Sequence, residues 1–131
     1  MVDQQKMEEK YMQFQSLQQH LELINQHVEK MQEQRQEIES TIDALNELEK
    51  SKTDTEILAP IANGIFVKAK LLDPSRLTVN LGSDIAAEKS IPEILKLLED
   101  QKEKITNNMS EAEEVIKRLR QQSLDIYNQA Q

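Results

Sequence analysis

From Met7 to Leu45 apolar residues recur at alternating spacings of three and four, through Phe14, Leu17, Leu21, Ile24, Val28, Met31, Ile38 and Ile42. This is a heptad repeat, the pattern of a helix whose apolar seam faces a partner helix. With Met7 at an a position, Phe14, Leu21, Val28, Arg35, Ile42 and Glu49 follow at a, while Lys10, Leu17, Ile24, Met31, Ile38 and Leu45 occupy d. Neither glycine nor proline interrupts residues 1–59, and Gln, Glu and Lys fill the outer face. The pattern predicts one helix from about Asp3 to Lys50, roughly 70 Å long at 1.5 Å per residue. Such a helix cannot bury its stripe against itself.

The period changes after the polar stretch Ser51-Lys52-Thr53-Asp54-Thr55. Ile57 to Ile61 reads as a strand, with Pro60 placing it at an edge or a bulge. Asn63-Gly64 is a hairpin signal. Beyond it Ile65, Val67, Ala69 and Leu71 alternate with Phe66, Lys68, Lys70 and Leu72, a period of two that predicts a second strand. Asp73-Pro74-Ser75 suits a turn. Leu77, Val79 and Leu81 form a third alternating run, Gly82-Ser83-Asp84 a further turn, and Ile85 to Lys89 a fourth strand.

A second helix opens at Ser90-Ile91-Pro92-Glu93, where Ser90 can cap, Pro92 suits the first turn and Glu93 completes a Ser-x-x-Glu box. Ile91, Leu98, Ile105, Ala112, Leu119 and Ile126 recur every seven residues. The companion seam positions are expected at Ile94, Gln101, Asn108, Val115, Gln122 and Gln129, a half-polar line that should weaken the far end. About 39 residues would span roughly 60 Å, close to the first helix.

The fold class that follows is mainly α with a small β insert: a long antiparallel coiled-coil hairpin whose base carries two β-hairpins. The expected segments are a coiled-coil helix over residues 1–50, two β-hairpins over 51–90 and a second coiled-coil helix over 91–131. Pairing Leu45 with Ile94 at the base makes paired residue numbers total about 139. Isolated hairpins are marginal in water, so Ile57, Leu58, Ile61, Ile65, Val67, Leu71, Leu77, Val79, Leu81 and Ile85 are expected to join neighbouring chains in an oligomeric β body. Near the far tip Tyr11 and Met12 fall at e and f, and Leu124 and Tyr127 at f and b, where a coil would ordinarily carry charge. With the seam residues Met7, Phe14, Leu119 and Ile126 they are the candidate residues for contact with a partner or client.

Composition narrows the function. Of 131 residues 37% are hydrophobic and 3% aromatic, and the net charge is −8. Residues 1–50 hold 5 basic and 11 acidic side chains, residues 51–90 hold 5 and 5, and residues 91–131 hold 6 and 8. That field repels phosphate, and no basic stripe or stacking aromatics are present, so nucleic acid and anionic membrane are not expected partners. Neither an apolar export segment nor a run of about 18 apolar residues occurs, which predicts a cytoplasmic protein.

Little chemistry is available. With no cysteine there is no thiolate nucleophile or zinc ribbon. His20 and His27 lie seven apart, roughly 10 Å along a helix, too far to share a metal ion. Asn108-Met109-Ser110 matches a glycosylation sequon, but without an export signal it reads as seam. Glu8-Glu9 and Glu111, Glu113 and Glu114 lack the burial that general acid-base work requires. No phosphate-binding, dinucleotide, serine-elbow or zinc-protease motif occurs. No enzyme activity, metal or cofactor is expected.

The segments Ile57-Leu58-Ala59-Pro60-Ile61, Gly64-Ile65-Phe66-Val67-Lys68-Ala69-Lys70-Leu71, Leu77-Thr78-Val79-Asn80-Leu81-Gly82 and Glu88-Lys89-Ser90 resemble the strand motifs of α-class prefoldin subunits, and the flanking coils extend the likeness over essentially the whole chain. The resemblance implies an ATP-independent holding chaperone: a hetero-hexamer of two α and four β-class subunits with a double β-barrel body and six coiled-coil tentacles. It further implies that unfolded clients are held at the tips and passed to a group II chaperonin in the cytosol. The contrasting expectation is a coiled-coil adaptor or tether that oligomerises through its β insert and binds one defined partner.

Overall fold

The computed structural model describes residues 2–80 and 82–130; Leu81, expected in the β body, lies outside them. Six elements follow in order: α1 (Val2–Lys50), β1 (Glu56–Ala62), β2 (Ile65–Lys70), β3 (Arg76–Asn80), β4 (Ala86–Ser90) and α2 (Ile91–Ala130). Two long helices with two antiparallel hairpins between them match the expected fold class. The chain divides into two compact units, Met1–Gln36 with Glu103–Gln131, and Glu37–Lys102.

In the first unit burial on α1 tracks the heptad. Leu21, Ile116 and Leu119 form the buried core, with Leu17, Ile24, Val28 and Val115 packed against it, and Met31 and Met109 are also buried. Each enclosed side chain of this size contributes about 1.5–3 kcal/mol relative to exposure. Arg35 occupies its a position half-buried and donates from Nη1 to Thr106 Oγ1 at 3.5 Å. Leu21 meets Ile116 and Leu119 while Arg35 meets Thr106, so numbers rise on one helix as they fall on the other and the pairing here is antiparallel. Residues 35 and 106 total 141, two from the expected register.

The companion line on α2 differs from expectation. Met109, Ile116 and Ser123 are buried, whereas Gln101, Asn108, Gln122 and Gln129 are exposed. Companions stand four residues after Ile105, Ala112 and Leu119 rather than three. Both offsets preserve a seven-residue repeat; the one adopted turns Met109 and Ile116 inward and leaves the amides in water, which burial energetics favour. The far end is therefore not weakened by a line of amides. It carries instead Ser123, whose Oγ is buried with no hydrogen-bond partner. Met7 also departs from its seam assignment and stands 56% exposed.

In the second unit Ile42 and Ile91 are buried, Ile91 to 1% exposure. Lys102 Nζ lies 3.4 Å from Glu39 Oε1, a part-exposed ion pair of the kind that contributes little. Ser90 caps α2 as expected, its Oγ accepting from Glu93 N at 3.3 Å.

β1 pairs with β2 and β3 with β4, each antiparallel, in two separate two-stranded sheets. In the first, Ile57 opposes Ala69 and Ala59 opposes Val67, and the register shifts between Pro60 and Ala62, the bulge that proline at this point accommodates. Of the turn pair Asn63-Gly64 only Gly64 has positive φ, 80°, a conformation open to glycine without a Cβ penalty. Leu71 N donates to Thr55 O at 3.0 Å and Asp54 N to Leu71 O at 2.7 Å, fastening the linker to the end of this hairpin. In the second sheet Leu77 opposes Lys89 and Val79 opposes Ala87. Before it, Asp73 Oδ1 accepts from both the backbone N and the hydroxyl of Ser75. Those two bonds hold the Asp73 carboxyl below its ordinary pKa, so the turn is held at neutral pH and loosens as pH falls through that lowered value.

The seam register is tested by urea unfolding of the assembled protein. Ile116→Ala is expected to cost about 2–5 kcal/mol by the loss of buried side chain and the cavity left behind, while Asn108→Ala stays within about 0.5 kcal/mol as a surface change; equal costs would refute the offset. Ser123→Ala removes the orphaned hydroxyl and is expected to raise stability by about 1 kcal/mol, read as a higher urea midpoint.

Candidate functional site

Apolar surface left uncovered by each unit is the distinctive feature of this chain. In the unit formed by residues 1–36 and 103–131, the seam closes over Leu17, Leu21, Ile116 and Leu119 but opens toward residues 7–14 of α1 and 126–127 of α2. There Met7, Lys10, Tyr11, Phe14, Ile126 and Tyr127 line a groove of about 320 Å³. The heptad explains its shape. Phe14 and Ile126 hold seam positions and are half-buried, forming the floor. Tyr11 at e and Tyr127, which the corrected α2 register moves from b to e, stand beside the seam as walls, 63% and 53% exposed.

Lys10 belongs to the same groove although it holds a d position. It is only half-buried, the arrangement in which a long stem covers apolar surface while the ammonium stays in water. The Tyr11 hydroxyl accepts from Gln15 Nε2 at 3.2 Å, a bond to its own helix one turn on. Gln121 Nε2 donates to Asp125 Oδ1 at 3.1 Å on α2. Each of these bonds runs along a single helix, and a groove lined mainly by Met7, Tyr11, Phe14, Ile126 and Tyr127 suits dispersion and apolar burial rather than oriented polar recognition.

The other candidate residues divide by position. Met12 and Leu124 are exposed but do not line the groove; they extend the apolar surface outward. Leu119 is buried in the core with Leu21 and Ile116, so it supports the opening from beneath and presents no surface of its own. His20 and His27 are both exposed. Among the described residues no cluster of three metal-ligating side chains occurs, and no helix is long and apolar enough to cross a membrane.

In the unit formed by residues 37–102 the uncovered surface lies on the hairpins. Leu58, Ile61, Ile65, Val67 and Ile85 are exposed, and Ile57, Leu71, Leu77 and Val79 are half-buried. Each strand pairs on one side only, leaving an unmatched row of backbone donors and acceptors. Two further residues belong with this set: Phe66 is 57% exposed and Leu72 is 83% exposed. The alternation that assigned one face of β2 to the interior set both aside, because they alternate with it among lysines. Their bulk was the signal, since a strand with large apolar residues on both faces reads as covered on both.

A family model described as "Prefoldin subunit" matches residues 17–131. A prefoldin subunit alpha from Methanococcus vannielii is 32% identical over 111 residues, covering 76% of this chain and 76% of that protein. Prefoldin subunit alpha 1 from Thermococcus kodakarensis is 33% identical over 97 residues, covering 74% of this chain and 66% of the relative. A chain in the cryo-EM structure of filamentous PFD from Methanocaldococcus jannaschii shares the fold, with a TM-score of 0.77 at 19% identity over 88% of this chain and 95% of that one. The family match covers the hairpins, the whole of α2 and most of α1, and this chain accordingly belongs to the prefoldin family of chaperone subunits.

Proposed function

We propose that this chain is an α-class subunit of an ATP-independent holding chaperone that captures unfolded proteins in the groove at residues 7–14 and 126–127 and passes them to a group II chaperonin. The observation that carries this reading is the groove itself: an almost wholly apolar opening, walled by Tyr11 and Tyr127 and floored by Phe14 and Ile126, on a chain that is otherwise strongly charged. An unfolded protein offers scattered apolar side chains and no fixed shape, so a receptor for it needs exposed, adaptable apolar surface rather than a shaped polar pocket. Met7 supplies that adaptability within the groove, because an unbranched thioether fits many contours. A single such opening binds weakly; several held on one assembly act together through effective concentration.

The assembly in this proposal is a cytosolic hetero-hexamer of two α-class and four β-class subunits. The uncovered apolar residues and unpaired edges of β1 to β4 support it, since strands continued by neighbouring chains satisfy the backbone and bury Leu58, Ile61, Ile65, Phe66 and Val67 together. Nucleotide has no place in the scheme: with two glycines in the chain there is no loop to cradle phosphate.

Two measurements test the two halves. Tyr11→Ser with Tyr127→Ser in the assembled protein is expected to raise the concentration needed to suppress aggregation of denatured clients by about tenfold, from the loss of two aromatic contact surfaces at each α subunit. The native mass stays unchanged. Unchanged suppression would remove the groove from the function, and suppression confined to one client would make the chain an adaptor with one docking partner. Val67→Asp is expected to abolish assembly, because it places an unpaired carboxylate among joined strands; an unaltered native mass would contradict the β-body reading.

A further inference from the structure

Four methionines lie among the residues whose side chains are described, and the fold sorts them sharply. Met31 and Met109 sit inside the helix seam at 6% and 7% exposure, whereas Met7 and Met12 stand at 56% and 68%. Met7 alone of the four lines the groove, facing the same opening as Tyr11, Phe14 and Tyr127. A thioether is oxidised in proportion to its access to the oxidant, so the two outer methionines are reactive and the two that hold the helices together are shielded. Oxidation at Met7 therefore changes the binding surface and leaves the seam intact.

We propose that Met7 is a reversible redox modification site that controls the groove, a reading that rests on the client-holding function above. A lone pair of the Met7 sulfur attacks one oxygen of a peroxide; the O–O bond breaks and an S–O bond forms. Sulfur is oxidised by two electrons to the sulfoxide, and the peroxide is reduced to water or the corresponding alcohol. A dithiol-dependent reductase returns the thioether, with the sulfoxide oxygen leaving as water and the dithiol becoming a disulfide. The sulfoxide is polar and hydrated, and placing it in the groove that Tyr11, Phe14 and Tyr127 also line forfeits apolar area there. The groove then offers less to an apolar segment. Met12, equally open to oxidant but outside the groove, leaves capture nearly unchanged when oxidised.

The test treats the full-length assembly with hydrogen peroxide, removes the oxidant, maps each methionine by mass spectrometry and measures suppression of aggregation of a denatured, methionine-free protein. Met7 and Met12 are expected to oxidise at least about tenfold faster than Met31 and Met109, with the helical circular-dichroism signal retained. The concentration needed for half-suppression is expected to rise about three- to tenfold, and reductase treatment to reverse it. Relative to its own untreated level, Met7→Leu is expected to lose this response and Met12→Leu to keep it. Full oxidation of Met7 without loss of suppression, a response that persists in Met7→Leu, or oxidation of Met31 and Met109 at the same rate would each overturn the proposal. Absence of suppression by the untreated assembly would overturn the holding function and this inference with it, whereas suppression that peroxide does not alter overturns this inference alone.

Discussion

Two helices packed side by side can each bury one stripe and no more, and the rest of this chain follows from that limit. The seam encloses Leu21, Met31, Met109, Ile116 and Leu119 in the first unit and Ile42 and Ile91 in the second. Among the described residues no further helix covers this pair, so apolar residues far from the stripe stay exposed within their own unit. Such residues are few on the helices, where Glu, Gln and Lys dominate, and this makes those at residues 7–14 and 124–127 informative. Leu23 and Leu97 are isolated exposed leucines elsewhere on the helices, whereas Met7, Tyr11, Met12, Leu124 and Tyr127 cluster where the seam opens.

The same limit governs the hairpins. Two strands have one paired side each and no covering layer, so Leu58, Ile61, Ile65, Phe66, Val67 and Ile85 have nothing of their own chain to lie against. Exposed apolar surface thus occurs in two chemically different settings. On the strands it accompanies unpaired backbone groups, which demand a neighbour of fixed register. In the groove it sits between helices whose backbone bonds are already made, so an occupant needs no particular register. Fixed partners suit the first setting and varied ones the second.

Much of this was legible in the residues. The heptad on α1 located its buried face from Phe14 to Leu45, Ser90 and Glu93 located the start of α2, and Asn63-Gly64 and Pro60 located a turn and a bulge. The outward positions of Tyr11 and Met12 followed from heptad offsets alone; Leu124 and Tyr127 are also exposed, but at b and e of the adopted α2 register rather than at the expected f and b. The companion line of α2 did not follow from offsets, because a seven-residue repeat is compatible with companions at either three or four residues from Ile105, Ala112 and Leu119. Choosing four buries Met109 and Ile116, and the choice becomes visible only when the facing residues of α1 are in place. Met7 was misplaced for a related reason: periodicity carries a stripe forward without showing which of its positions the facing helix covers.

The sequence by itself determined the elements, since spacing, capping residues and turn residues act over a few positions and need no distant partner. It also showed which side chains are on hand, because the absence of cysteine and the presence of only two glycines are read directly from the residues. Tertiary structure alone decided which polar residue is enclosed, Ser123 rather than Asn108 or Gln122. It likewise made Leu119 a support and Met7 part of a wall. Those outcomes depend on which residue of one helix stands opposite which residue of the other, a relation between positions about a hundred residues apart that no local pattern encodes.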